Sequence, residues 1–296
     1  MLRRMDWPQR DPGQARGKLL FAGGRGDFIE KYLEIYWHWH AAGWNVAAFD
    51  WRGQGASRGN EASRGDTSPN PLSFDPLIGD LAALIADWRG GNGGRHVVVG
   101  HSMGGHLVLR TLVDKRPALD AVVLVAPMLQ VNSAPLADWL APQVTDMMCR
   151  LGWRDRQVWR APTQDSPPGS ARQHFLTSSV ERYEDEAWWW QQEPRFRIGT
   201  PTWGWMRAAY RSAAAAFTPA KLARVATPVL IVGAERDRLV TAAAIHRAAS
   251  LLPNARLVMH PEAAHEILRE SDPIRMAVLA EIDAFLDEHA KRTDAA

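Results

Sequence analysis

The sequence predicts an α/β fold with a mostly parallel central sheet and one long helical insertion, and three observations indicate it. Short apolar runs alternate with stretches of helical periodicity in both flanks of the chain, an alternation typical of βαβ units. A serine stands between glycines where an apolar strand gives way to an apolar helix, in VVVGHSMGGHLVL (97–109). From about residue 129 to about residue 217 the alternation stops. A chain of 296 residues that is 46% hydrophobic can form one large domain with such an insertion.

The first flank supplies four strands with three helices between them. The predicted strands are GKLLFAG (17–23), NVAAFD (45–50), HVVVG (96–100) and LDAVVLVAPM (119–128). The predicted helices have apolar residues at helical spacing and are FIEKYLEIYWHWHAAGW (28–44), DPLIGDLAALIADWRG (75–90) and MGGHLVLRTLVDK (103–115). Each strand but the last is therefore followed by a helix that can cross back over the sheet.

The second flank restores the alternation after the insertion. It contains a strand and loop in TPVLIVGAERDRLV (227–240), a helix in TAAAIHRAASLLP (241–253), a strand in ARLVMHP (255–261) and a long amphipathic helix in DPIRMAVLAEIDAFLDEHAKR (272–292). We therefore expect a first part of the core over residues 1–128, a helical, Trp-rich insertion over 129–217 and a second part of the core over 218–296.

Composition and charge exclude several classes of protein. The chain carries 35 lysines and arginines against 33 aspartates and glutamates, so it has no broad basic field for nucleic acid. Cys149 is the only cysteine, which rules out an internal disulfide and cysteine-based zinc sites. No apolar run approaches the roughly 18 residues of a membrane span, and the N-terminus lacks the apolar stretch of a signal peptide. We expect a cytoplasmic protein.

Four arginines near the N-terminus are interpreted as a solvated face of the protein. The alternative is a transient contact with a membrane surface, which would make the protein peripheral to the inner face of a membrane. These residues are Arg3, Arg4, Arg10 and Arg16.

The serine of GHSMGG has the setting of an activated nucleophile. A serine hydroxyl attacks a carbonyl efficiently only when a neighbouring base takes its proton. The pattern Gly-x-Ser-x-Gly between a strand and a helix is the nucleophile elbow, a strained turn that exposes the hydroxyl. Gly100, Ser102 and Gly104 fill this pattern, and a strand and a helix are predicted on its two sides. We expect Ser102 to be the nucleophile rather than part of an ordinary tight turn.

The partners of such a serine are expected on loops that follow later strands, at the same edge of the sheet. The loop after PVLIVG offers Asp237, with Glu235 as the alternative acid. The loop after ARLVMH offers His265, with His260 as the alternative base. We favour Asp237 and His265 by position, because His260 abuts a proline at the end of the strand. The resulting order of serine, aspartate and histidine is the one expected for a nucleophile elbow on a parallel sheet.

Acyl transfer also needs two amide donors for the oxyanion. One is expected at the residue after the nucleophile, Met103, where a helix begins. The second is expected from the loop GGRGDF that follows the first predicted strand, where three glycines in four residues let the backbone approach closely. Arg25 N–H is the candidate there, and a flexible turn is the alternative interpretation.

Five segments in this order resemble the lysophospholipase and monoacylglycerol lipase branch of the serine α/β-hydrolases. They are FIEKY, FDWRGQGAS, GHSMGG, GAERDRLV and AAHEIL, and the resemblance covers roughly residues 17–129 and 219–290. It implies the α/β-hydrolase fold, Ser102 as nucleophile, Asp237 as acid and His265 as base. It also implies that the insertion is a cap, or lid, over the acyl pocket.

Two features of the chain qualify this resemblance. Relatives often carry His-Gly in the oxyanion loop, whereas this chain has Gly23 and Gly24, with Arg25 at the donor position. The segment DWRGQ resembles a family signature, and we interpret Asp50, Arg52 and Gln54 as hydrogen-bonded support for a loop rather than as catalytic residues.

The expected activity is hydrolysis of carboxylic esters of acylglycerol or lysophospholipid type through an acyl-enzyme on Ser102. The substrate is a small ester or lipid, and neither a metal nor an organic cofactor is required. One alternative keeps the triad but cleaves an amide or a C–C bond, since fold resemblance does not separate these reactions. Another is a non-catalytic binding protein on the same scaffold, which the three competent triad residues disfavour.

Tryptophan is abundant in the insertion, with eight of the chain's 14 tryptophans between Trp139 and Trp205. Consecutive helical residues point about 100° apart, so the three rings of Trp188 to Trp190 cannot share one narrow face. At least one ring is therefore expected to face solvent, the mouth of the site or a partner surface. We expect most of the eight to pack within the insertion, and one or two to line an apolar channel for an acyl chain.

Overall fold

The computed structural model describes residues 2–58, 70–90, 94–159 and 166–290. Within these ranges the chain forms seven strands: β1 (Arg4–Trp7), β2 (Gly17–Ala22), β3 (Trp44–Phe49), β4 (Arg95–His101), β5 (Ala121–Val125), β6 (Val229–Ala234) and β7 (Ala255–His260). The same ranges contain ten α-helices: α1 (Leu33–Ala41), α2 (Asp75–Arg89), α3 (Met103–Lys115), α4 (Ala141–Arg150), α5 (Ala171–Leu176), α6 (Val180–Gln192), α7 (Trp203–Ala216), α8 (Pro219–Leu222), α9 (Ala242–Leu251) and α10 (Asp272–His289).

The strands form one sheet in the order β1-β3-β2-β4-β5-β6-β7. The pairs from β3 to β7 are parallel, and β1 pairs with β3 in the antiparallel direction. The predicted α/β fold is therefore confirmed. Since the carboxyl ends of parallel strands lie at one edge of the sheet, the loops after β2, β4, β6 and β7 meet there.

Helices cover both faces of the sheet because the side chains of each buried strand alternate between them. One face packs against α2, α3 and α9, and the other against α1 and α10. In β4, for example, Val98 contacts the first layer and Val97 the second, and both are fully buried. Burial on both faces explains why these strands are continuous apolar runs rather than alternating ones.

The segment between β5 and β6 folds as helices and adds no strand to the sheet within the residues that the structure describes. It contains α4 to α8, and α4 packs against α7. Trp205, Met206, Ala208 and Ala209 of α7 belong to the same apolar core as α3. The insertion is therefore anchored to the main core through α7. In the described ranges no helix combines the length and apolar character needed to cross a bilayer.

Strand β1 was not predicted, and it changes the interpretation of the N-terminal arginines. Arg4 lies in β1 and pairs with Asp6 and Asp87. Arg3 pairs with Glu30 and Asp50. Arg3 and Arg4 are therefore partly exposed, and their charges are paired with carboxylates along the edge of the sheet.

The other two of the four arginines behave differently from each other. Arg16 pairs with Asp287 and lies over the ring of Trp44, 4.8 Å from its centroid. Arg10 is exposed, as expected of a solvated residue.

Candidate active site

Ser102 lies in the strained turn between β4 and α3. Its φ of 51° and ψ of −116° are unfavourable for a residue with a β-carbon. The turn is closed by Gly104, where a β-carbon would lie 2.1 Å from the carbonyl oxygen of Ala22. Glycine is required at position 104 because α3 begins in direct contact with the end of β2. This contact explains why the sequence places glycine there, and it fixes Ser102 at the carboxyl edge of the sheet.

His265 and Asp237 approach Ser102 from two other loops of that edge. Nε2 of His265 lies 2.9 Å from Oγ of Ser102, and Nδ1 of His265 lies 2.7 Å from Oδ2 of Asp237. Asp237 follows β6, and His265 follows β7. The structure thus brings together the three residues that the sequence places 163 and 28 positions apart.

The two alternative residues lie outside this arrangement. Glu235 pairs with His246, Oε1 to Nε2 at 3.0 Å, and it is largely exposed. His260 is the last residue of β7, and its buried Nε2 has no hydrogen-bond partner among the described residues. Neither side chain is hydrogen-bonded to Ser102 in the described structure.

The electrostatic environment favours an ionised aspartate beside a basic imidazole. Burial by itself would raise the pKa of Asp237, but His265 and the amides of Leu239 and Val240 outweigh burial and hold that pKa below its ordinary value. The two amides donate to Oδ1 at 2.7 and 3.0 Å. Burial by itself would lower the pKa of His265, but the charge and hydrogen bond of Asp237 raise it above its ordinary value.

The loop after β2 lies against the serine, as the oxyanion prediction requires. A β-carbon at Gly24 would lie 3.1 Å from Cβ of Ser102. The N–H of Gly24 donates to Oδ2 of Asp27 at 2.5 Å, so it is already occupied. The amide of Arg25 is therefore the next candidate donor along the loop. Met103 is the first residue of α3, and helix geometry leaves its N–H without an acceptor inside the helix.

The side chain of Arg25 joins this loop to the insertion. Its Nη2 donates to the carbonyl oxygen of Gly199 at 2.7 Å, and its guanidinium lies 5.3 Å from the centroid of the Trp205 ring. Burial lowers the pKa of Arg25 to about 9. The sequence singled out this residue only for its backbone amide, whereas its side chain holds the insertion against the oxyanion loop.

A buried ion cluster, which the sequence analysis did not anticipate, adjoins the same loop. Nζ of Lys31 lies 2.9 Å from Asp27, 2.7 Å from Glu186 and 2.6 Å from Glu266. Two arginines complete the buried ion cluster, with Arg269 2.9 Å from Glu266 and Arg172 2.8 Å from Glu186. The signal in the sequence was the spacing of Asp27 and Lys31, which carry opposite charges four residues apart. Asp27, Lys31, Glu186 and Glu266 are all buried.

The loop support predicted from DWRGQ is confirmed for two of its three residues. Oδ1 of Asp50 accepts from the N–H of Ile29 at 2.9 Å, and Oε1 of Gln54 accepts from the N–H of Gly26 at 2.6 Å. Arg52 instead points outward and pairs with Asp80. Gln54 therefore braces the oxyanion loop itself at Gly26, whereas Asp50 holds the first residue of the 3₁₀ turn that follows the loop.

The expectation that most of the eight tryptophans pack within the insertion is wrong, because only Trp190 and Trp205 are buried and four of the others are exposed, namely Trp139, Trp153, Trp159 and Trp188. Within the run of three consecutive tryptophans, the rings divide as the helical geometry predicts. Trp188 is 50% exposed, whereas Trp190 is buried against Phe28 and Phe196. Trp205 is buried and packs on Phe74, with ring centroids 5.7 Å apart. Trp190 thus packs against Phe28 of the oxyanion loop, Trp205 packs in the main core, and Trp188 is exposed. In the described ranges no group of three or more His, Cys, Asp or Glu side chains is arranged to hold a metal ion.

Comparison with known proteins relates this arrangement to a family. The sequence profile of the family described as serine aminopeptidase, S33, matches residues 13–272. The probable lysophospholipase L2 of Haemophilus influenzae is 25% identical over 280 residues, which cover 92% of this chain and 84% of that protein. The monoacylglycerol lipase of Mycolicibacterium smegmatis is 25% identical over 286 residues, covering 95% and 91%. These relatives confirm the resemblance to the lysophospholipase and monoacylglycerol lipase branch.

A solved structure gives the same fold. The soluble variant of monoglyceride lipase from Saccharomyces cerevisiae superposes with a TM-score of 0.73 at 16% identity, over 97% of this chain and 91% of that one. At this level of identity the likeness speaks for the fold alone, and it agrees with the seven-stranded sheet described above. The chain therefore belongs to the serine aminopeptidase S33 family of hydrolases and has the α/β-hydrolase fold.

Proposed function

We propose that this protein hydrolyses carboxylic esters of acylglycerol or lysophospholipid type through an acyl-enzyme on Ser102. The observation that carries the proposal is the continuous hydrogen-bond chain from Ser102 through His265 to Asp237, with heavy-atom distances of 2.9 and 2.7 Å. Both distances are within the range in which a general base can take a proton from a nucleophile.

In the first half-reaction, Nε2 of His265 takes the proton of Ser102 as Oγ attacks the ester carbonyl. The negative charge that develops on the carbonyl oxygen is stabilised by the N–H groups of Met103 and Arg25. The imidazolium of His265 is stabilised by Asp237 and then gives its proton to the departing alkoxide, which leaves as an alcohol. The acyl group remains bonded to Oγ.

In the second half-reaction, a water molecule takes the place of the alcohol. His265 removes a proton from the water as its oxygen attacks the acyl carbonyl, and the same two amides stabilise the second oxyanion. Collapse of this intermediate breaks the bond to Oγ, which recovers its proton from His265. The products are a carboxylic acid and the free enzyme.

The substrate class follows from the relatives and from the insertion. The relatives at 25% identity are named for lysophospholipid and monoacylglycerol substrates, which share one acyl chain on a glycerol unit. We propose that residues 129–217 act as a cap and that apolar side chains of this segment receive the acyl chain. A buried methylene stabilises a complex by ~0.8 kcal/mol, so kcat/KM is expected to rise several-fold with each added pair of carbons until the channel is full.

The proposed lipid substrate also requires access to a lipid surface. Large apolar side chains are exposed on the insertion, with Trp139 71% exposed, Leu151 61% and Met147 52%. Met147 and Leu151 are four residues apart, so they share the outer face of the last turn of α4. We propose that these three exposed side chains, rather than the N-terminal arginines, make the transient contact with a lipid surface.

The decisive experiment combines labelling and a substrate panel. Wild type and Ser102→Ala are treated with a fluorophosphonate probe and assayed with p-nitrophenyl esters of increasing chain length, a monoacylglycerol, a lysophosphatidylcholine and amino-acid p-nitroanilides. We expect labelling and ester hydrolysis in wild type only, with long acyl chains preferred. Ester hydrolysis by Ser102→Ala within tenfold of wild type, with unchanged thermal unfolding, would contradict the assignment of the nucleophile. Faster cleavage of the anilides than of any ester would favour the amide-hydrolysing alternative that the family description names.

A further inference from the structure

The buried ion cluster contains a residue with two separate tasks. Oδ1 of Asp27 lies 2.9 Å from Nζ of Lys31. Oδ2 of Asp27 accepts from the N–H of Gly24 at 2.5 Å and from the hydroxyl of Tyr32 at 3.1 Å. One carboxylate therefore joins the ion cluster through one oxygen and holds the backbone beside Ser102 through the other.

These hydrogen bonds connect Asp27 to the proposed reaction through the backbone of the oxyanion loop. A carboxylate that accepts the N–H of Gly24 fixes the peptide between Gly23 and Gly24. Gly24 joins this peptide to the next one, whose N–H is that of Arg25. An oxyanion donor is effective only when it is already aimed at the position of the developing charge. Displacement of Gly24 by a fraction of an ångström would turn the next amide away from that position.

We propose that Asp27 is a positioning residue whose carboxylate fixes Gly24 and thereby sets the amide of Arg25 for the oxyanion. Lys31 is ion-paired with Asp27 and with Glu186 of α6 at the same time. The position of the Asp27 carboxylate therefore depends on the position of α6 in the insertion. The oxyanion loop is therefore correctly arranged only when the insertion is docked. This inference rests on the proposed function, because an oxyanion forms only if acyl transfer takes place.

The charges of the buried ion cluster support a structural coupling of this kind. Three carboxylates, of Asp27, Glu186 and Glu266, face three cations, of Lys31, Arg269 and Arg172. Removal of one partner leaves an uncompensated buried charge, which the remaining groups relieve by moving or by a change of protonation. A change at Glu186 should therefore be transmitted through Lys31 to Asp27.

A second contact links the same carboxylate to the catalytic base. Nδ1 of His101 lies 3.0 Å from Oδ2 of Asp27, and Nε2 of the same ring lies 3.4 Å from the carbonyl oxygen of His265. His101, which the sequence places inside the elbow, is thus packed between the oxyanion loop and the backbone of His265 rather than exposed to substrate.

The test compares binding of a transition-state analogue with binding of the ground state. An alkyl trifluoromethyl ketone adds to a serine nucleophile and places an oxyanion in the hole, so its Ki reports the geometry of the hole. For Asp27→Asn we expect Ki to rise about tenfold to hundredfold and kcat for p-nitrophenyl butyrate to fall by a similar factor. KM should change by less than about threefold, because ground-state binding does not use the oxyanion hole.

Asp50→Asn is the matched control. Like Asp27, Asp50 is buried and ion-paired, in its case with Arg3, and it accepts a backbone N–H, that of Ile29 just after the oxyanion loop. It does not bond Gly24. We expect Asp50→Asn to lower the melting temperature as Asp27→Asn does, while its Ki for the ketone stays within about threefold of wild type. Equal losses of ketone affinity in the two variants would show a general effect of destabilisation and would overturn the proposal.

Glu186→Gln tests whether the insertion affects the oxyanion loop through Lys31. If Asp27→Asn does not fold, Glu186→Gln alone tests the proposal. We expect a smaller rise in Ki, about threefold to tenfold, together with a fall in kcat, and no further rise when Glu186→Gln is added to Asp27→Asn. If neither variant changes Ki, the proposal is wrong. Ser102→Ala tests the proposed function separately. If Ser102→Ala loses ester hydrolysis while the Ki of Asp27→Asn is unaltered, the proposed function stands and only the positioning role of Asp27 is overturned.

Discussion

Asp237 binds His265 with one carboxylate oxygen and anchors its own loop with the other. Oδ2 lies 2.7 Å from Nδ1 of His265, and Oδ1 accepts the N–H groups of Leu239 and Val240. The carboxylate therefore cannot rotate without breaking bonds on both sides. This arrangement fixes the tautomer of His265 that presents Nε2 to Ser102 as an acceptor.

The first prediction is the pH dependence that this pair imposes. Because Asp237 raises the pKa of His265, and the base acts only when neutral, kcat/KM for a soluble ester should rise with pH through an apparent pKa above about 6.5. Asp237→Asn removes the negative charge that raises the pKa of His265. The burial of His265, which lowers that pKa, remains. We expect the acid limb to move to lower pH, and the plateau to fall by about 10³- to 10⁴-fold. An acid limb that stays in place in Asp237→Asn would contradict this account.

The second prediction is that the three hydrogen-bonded residues act as one unit. Loss of any of them stalls the same proton transfer, so Ser102→Ala combined with His265→Ala should be scarcely slower than the slower of the two single variants. The measurement is kcat/KM for p-nitrophenyl butyrate in a double-mutant cycle. Glu235→Gln and His260→Ala are the controls, since neither side chain is hydrogen-bonded to Ser102, and both variants should retain activity within about threefold. Multiplication of the single effects would argue against a common step.

The third prediction concerns the contact between Gly104 and Ala22. A β-carbon at position 104 would lie 2.1 Å from a carbonyl oxygen of β2, and neither backbone can yield without opening the sheet edge. Gly104→Ala is expected to destabilise the fold by about 3 kcal/mol, the upper end of the usual cost of overpacking, and to abolish fluorophosphonate labelling. Gly79→Ala is the matched control, because Gly79 lies in α2 with nothing within 4 Å of its added β-carbon. The free energy of unfolding of Gly79→Ala should rise by about 1 kcal/mol, because alanine has a higher helix propensity than glycine. Thermal unfolding measures the change in stability of both variants.

The core strands were predictable because their physical signal is local. Each of the six parallel strands is a run of apolar residues between turn residues, and α3 coincides with the predicted segment 103–115. Strand β1 was missed because Arg4–Trp7 is four residues long, carries two charges and pairs only at the edge, where burial does not impose an apolar pattern. The helix expected from residue 28 begins only at Leu33, after a 3₁₀ turn at Ile29–Tyr32 that carries Lys31 into the buried ion cluster.

The site could be anticipated in part for a related reason. Ser102, Asp237 and His265 each follow a predicted strand, so topology alone placed them at one edge. The ion cluster involves Glu186 and Lys31, which are 155 residues apart and belong to different parts of the chain. No periodicity links two such residues, and their pairing is set by how the insertion docks. For the same reason the tertiary role of Arg25 as a tie to Gly199 could not be inferred.

The last prediction concerns the three exposed apolar side chains of the insertion. If Trp139, Met147 and Leu151 contact lipid, their burial on contact contributes roughly 1–2 kcal/mol each. Trp139→Ala and Leu151→Ala should then lower the rate on a monoacylglycerol in vesicles by about five- to thirtyfold, while the rate on soluble p-nitrophenyl butyrate stays within about twofold. Trp37→Ala is the matched control, because Trp37 is 63% exposed but lies on α1 of the core, and its removal should affect neither rate.

Vesicle sedimentation of the Ser102→Ala protein measures the contact without turnover. An equal loss on soluble and vesicular substrates would assign these side chains to folding of the insertion, and an effect of Trp37→Ala equal to that of Trp139→Ala would show that any exposed tryptophan suffices.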